Sequence, residues 1–61
     1  MNVGTTDLVM RTLEQIDYLM LSLKMMLREE KYEEMAVGMG LLEEWIGLLR
    51  LHLETEAKPG Q

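Results

Sequence analysis

The stretch YEEMAVGMGLLEEWIGLLRLHL, residues 32–53, decides the fold. Within it Tyr32, Met35, Met39, Leu42, Ile46, Leu49 and Leu53 recur at alternating steps of three and four. That spacing draws one apolar stripe down a helix. A lone amphipathic helix is marginal in water, so a stripe of this length demands a second apolar surface to cover it. The first half of the chain carries one. Val9, Leu13, Ile16, Met20, Leu23 and Leu27 repeat the same heptad period. Two helices of matching length, each with one seam, predict an all-α fold, an antiparallel two-helix hairpin.

Phase places the join, because no glycine or proline stands between the two stripes. From Leu27 to Tyr32 the chain advances five residues, which at about 100° per residue rotates the second stripe roughly 140° from the first. Continuing the first stripe along a straight helix would put Glu30 and Glu34 on it, and burying unpaired carboxylates is too costly. The expected layout of this single domain, residues 1–61, is a helix over 6–28, a link over 29–31, a helix over 32–54 and a flexible tail over 55–61. Thr6 or Asp7 is the expected cap of the first helix, after a mobile lead-in over residues 1–5. A competing layout runs the first helix on to Val37 and breaks it at Gly38 and Gly40, both poor residues for a helix interior.

A domain of 61 residues buries only about 60% of the surface its unfolded chain exposes. The usual staples of small folds are missing, with no cysteine and no Cys/His cluster. Eleven Asp and Glu against six Lys and Arg give a net charge of −5, and the basic residues are scattered. No patch can follow a phosphate backbone, so nucleic-acid binding is set aside. The longest uncharged internal runs, 18–23 and 35–42, fall far short of the ~20 residues that span a bilayer. The N-terminus lacks the pattern of an export signal. The expectation is a soluble, cytoplasmic protein with no membrane partner.

Chemistry is absent from the pattern. His52 is the only histidine, and no nucleophile, base and orienting group can be assembled around it, so no enzyme and no cofactor is expected; His52 reads as a surface side chain. Glu29, Glu30, Glu33 and Glu34 read as a solvated charged turn rather than a metal cluster, because no histidine joins them and no calcium-loop pattern is present. Glu33 and Glu34 also suit the positive end of the next helix dipole.

Both helices carry more apolar surface than one seam uses. Tyr18, Leu21 and Met25 form a second stripe on the first helix, and Val37, Leu41, Leu48 and Leu51 another on the second. Exposed together they would exceed the patch that soluble monomers tolerate, so a protein partner or self-association is expected through these residues. Trp45 flanks the main stripe, either as a seam-edge residue or as a partner anchor. Ala36, Gly40 and Gly47 either line a lane for a closely approaching helix or are merely tolerated. The seven methionines suit an adaptable core or binding face.

One family resemblance enters at residues 32–51. An aromatic residue, Tyr32, follows a charged turn, and ten positions on come Leu42-Glu43, then Ile46, Gly47, Leu48 and Leu49. This order is similar to the C-terminal helix of the small co-chaperones for type III secretion needle subunits. The resemblance implies a hairpin that pairs with a larger helical-repeat chaperone to hold the needle subunit soluble in the cytoplasm. It further implies that Leu42, Ile46 and Leu49 are hairpin core while the extra stripes meet the chaperone. The run Lys31-Tyr32-Glu33-Glu34-Met35-Ala36 also resembles the start of the second helix of a tetratricopeptide repeat, as a geometric analogy. The alternative function is a homodimeric helical-bundle regulator or adaptor, in which two hairpins bury their second stripes together.

Overall fold

The chain reverses at residues 29–31, where stripe phase puts the join. A computed structural model describes residues 3–57 as two helices packed against each other, α1 (Val3–Arg28) and α2 (Tyr32–Glu56). Residues 38–40 are continuous helix, so the competing break at Gly38 and Gly40 does not occur.

The turn is closed by backbone alone. Glu30 sits in the left-handed region at φ 58°; its N–H donates to Leu27 O at 3.1 Å, and the Lys31 N–H donates to Met26 O at 2.9 Å. These are the two bonds of a Schellman motif, which satisfies carbonyls left over at a helix end and usually employs glycine at the left-handed position. Here a glutamate takes it. Lys31 then opens α2 without any side-chain cap, so the acidic pair Glu33 and Glu34 in the first turn supplies the favourable charge at that end.

The outer ends differ from expectation. Val3, Gly4 and Thr5 belong to α1 rather than to a lead-in. Asp7 does not begin the helix; it lies inside it and pairs with Arg11 one turn on, at 3.1 Å. Helix α2 likewise runs past residue 54 to Glu56, and the Ala57 N–H bonds Leu53 O at 2.9 Å. The two ends support each other, for Thr5 Oγ1 donates to Glu56 Oε1 at 2.8 Å. Met1 and Asn2 of the lead-in, and residues 58–61 of the tail, lie outside the described residues.

Burial shows which sides of the helices meet. On α1 the covered seam positions are Thr5, Val9, Thr12, Ile16, Leu19, Leu23 and Met26, flanked by half-buried Gln15 and Ser22; on α2 they are Met35, Gly38, Leu42, Trp45, Leu49 and His52. Both series step by three and four. Val9, Ile16, Leu23, Met35, Leu42 and Leu49 are shared with the expected stripes. The alternate members are not: Leu13, Met20, Leu27, Tyr32, Met39, Ile46 and Leu53 are exposed, and the next column round each helix takes their place. His52 is accordingly half-buried at the end of the seam, not a surface side chain.

Small residues explain the choice of column. A Cβ built on Gly38 would stand 2.9 Å from Leu23 Cδ2, so this column lets the helices approach more closely than one bearing Met39 could. Thr12 is the most covered residue described, 3% exposed, and its hydroxyl donates back to Leu8 O at 2.9 Å within its own helix. Its polar group is thereby satisfied without a partner on α2. Moving one heptad from Leu23 and Gly38, in opposite directions, brings Ile16 level with Trp45; moving inward from Thr5 and Glu56 brings Thr12 level with Leu49. Large faces small at two of these three levels.

Candidate protein-interaction surface

The hairpin is a slab. Its extents are 48 × 18 × 10 Å, and 10 Å is about the diameter of one helix with its side chains. Among the described residues nothing covers either broad side, and Leu19 is the only buried hydrophobic residue.

Heptad position sorts the exposed apolar residues onto the two sides. One column next to the seam carries Leu13, Met20 and Leu27 on α1 and Tyr32, Met39, Ile46 and Leu53 on α2. Antiparallel packing puts these columns on one side of the slab. Met20 and Leu27 meet Leu23, Met35 and Leu42 in an open groove between the helices, with Lys24 at its rim. The stripe pattern places all seven residues in the core; they form a continuous face instead, with no charged residue in either column.

The other broad side gathers most of the residues expected to meet a partner. Leu41 and Leu48 lie next to the seam there, with Val37 and Leu51 farther out on α2 and Tyr18 and Met25 on α1, all exposed. Trp45 stands at the seam edge with part of its side chain open. It is half-buried in the seam, and it also lines a shallow groove with Leu41, Glu44 and Leu48. Tyr18 and Met25 line a second groove near the turn with Ser22, Met26, Glu29, Lys31 and Glu34. Leu21 does not join them; its heptad position is on the back of α1, away from α2. Gly40 and Gly47 lie on the corresponding back of α2, with nothing within 4 Å of an added Cβ, so no helix of this chain uses the small-residue lane.

Asp7–Arg11 and Lys31–Glu29, both exposed, are the ion pairs among the described residues, and exposed pairs contribute little. Among the described residues no three His, Cys, Asp or Glu side chains come together as a metal-binding group. No described helix is long and apolar enough to cross a membrane. What the surface offers chemically is apolar area, rich in methionine and edged by charge.

No protein-family model matches the chain, and no curated protein or solved structure is significantly similar to it.

Proposed function

We propose that the chain is a non-enzymatic binding hairpin, a co-chaperone that pairs with a larger helical chaperone to keep a secretion needle subunit soluble in the cytoplasm. The observation that supports binding is the surface left open. The accessible area is 5025 Å² for a mass of 7.1 kDa, where a folded monomer of that mass is expected to expose about 4,100 Å². The surplus of roughly 900 Å² is close to the ~800 Å² that one partner contributes to an interface of standard size.

The kind of partner follows from the face that carries Tyr18, Met25, Val37, Leu41, Leu48 and Leu51. Exposed apolar side chains at helical spacing fit the ridges of another helix, and flexible methionines such as Met25 adapt to them. The class of process rests on the resemblance at Tyr32, Leu42-Glu43 and residues 46–49 alone. Ile46 departs from the role that resemblance implies, since it is on the open face and not in the core.

The test is co-expression with the products of adjacent genes, followed by mass measurement of whatever purifies with the chain. A one-to-one complex with a helical-repeat protein, lost on Leu41→Asp or Leu48→Asp, is the expected result. A chain that binds no such neighbour, and whose neighbours include no secretion-needle component, removes the co-chaperone assignment.

A further inference from the structure

The face formed by Leu13, Met20, Leu27, Tyr32, Met39, Ile46 and Leu53 lies on the side of the slab away from Leu41 and Leu48, so it is not the surface assigned to the chaperone. Along the outer edge of α1, beside this face, the charges are ordered. Glu14 and Asp17 precede Met20, and Lys24 and Arg28 follow it. None of the four takes part in an ion pair among the described residues, although the chain carries almost twice as many acidic as basic side chains.

We infer that this face takes a second copy of the same chain, stacked with α1 on α1 about a two-fold axis that crosses α1 beside Met20 and Leu21. A two-fold contact must be self-complementary, each residue finding in the other copy the partner that residue finds in it. The order along α1 meets that condition. Turned end for end about Met20 and Leu21, Asp17 comes opposite Lys24 of the second copy, and Glu14 falls within one residue of its Arg28 and Leu13 within one residue of its Leu27. Each of these pairs forms twice.

The other way of stacking two slabs face to face, with α1 on α2, suits these charges less well. An axis parallel to the helices permits no sliding, and the hairpin register sets Asp17 level with Glu44 and beside Glu43. That stacking sets Asp17 against like charge, which is destabilising, although it also brings Arg28 level with Glu33. The net charge of −5 on each copy opposes association, but most of it is spread along the slab beyond the ~8 Å over which physiological salt leaves charges coupled. The α1 pairs meet at contact distance. The dimer leaves the Leu41 and Leu48 side of each copy open, so it stands whether or not the co-chaperone assignment does.

Sedimentation of the purified chain across a micromolar concentration series, with circular dichroism on the same samples, tests this. The wild-type chain is expected to be dimeric. Asp17→Lys sets lysine against lysine twice and should weaken the dimer about tenfold with helicity unchanged, since Asp17 has no partner within its own chain. The double variant Asp17→Lys with Lys24→Asp exchanges the two charges and should restore wild-type affinity. A chain that stays monomeric or assembles to any order other than two overturns the inference. So does a single swap without effect, or a double variant no tighter than the single.

Discussion

Leu23 Cδ2 occupies the space that a Cβ on Gly38 would need, at 2.9 Å, and this contact marks a close approach of α1 to α2. Gly40 and Gly47 face no such neighbour. Three glycines in one helix should therefore answer differently to one substitution. Gly40→Ala and Gly47→Ala should each raise stability by about 0.5–1 kcal/mol through helix propensity. Gly38→Ala should return little, because Leu23 must shift its tip to make room, and Gly38→Val should cost about 1–3 kcal/mol by overpacking. Urea unfolding of the four variants at one protein concentration checks the order; an equal gain from all three alanines would refute the close approach.

Glu30 holds a left-handed backbone at φ 58°, a conformation that costs a side-chain-bearing residue about 1–2 kcal/mol. Glu30→Gly should stabilise the hairpin by about 1 kcal/mol with the helical content unchanged. Thermal unfolding followed at 222 nm reads it. A loss of stability would mean that the turn is not closed as a Schellman motif.

Seam and face should separate under aspartate. Leu19→Asp or Leu42→Asp puts an unpaired carboxylate between the helices and should cost several kcal/mol, enough to unfold so small a domain. Ile46→Asp or Leu41→Asp adds charge to an open side and should leave the isolated hairpin helical. Circular dichroism at a dilution where the chain is monomeric distinguishes them. An unfolded Ile46→Asp variant would return the seam to the column expected from hydrophobicity.

Thr12→Val removes a hydroxyl whose only bond is to Leu8 O one turn back while nearly keeping its volume. Stability should stay within about 1 kcal/mol of wild type. A loss of 3 kcal/mol or more in chemical unfolding would show that the hydroxyl reaches across the seam.

The helices and their join were legible because period and phase are properties of spacing. Val9, Ile16, Leu23, Met35, Leu42 and Leu49 stand in the seam as read. The flanking column was misread for a physical reason. Each helix has three adjacent columns able to face its neighbour, and hydrophobicity favours Met39, Ile46 and Leu53 over Gly38, Trp45 and His52. Packing favoured the column that lets the helices approach most closely, which contains a glycine and, on α1, a threonine. The turn gave no composition signal, since Glu30 fills a position where glycine is usual. The residues expected to meet a partner were found exposed except for half-buried Trp45, yet Leu13, Met20, Leu27, Met39 and Ile46 escaped notice as surface because they had been assigned to the core.

A slab one helix thick has a consequence for amide exchange. In most domains the slowest amides lie under a layer of packed side chains and open only with the whole fold. The hairpin has no such layer over either side. Its backbone hydrogen bonds are closed by helix geometry and screened by a single row of seam residues, so local opening should govern exchange along both helices. Covering one side would change that for α1 and α2 at once, and the pattern of slowed amides would trace which columns had gone dry.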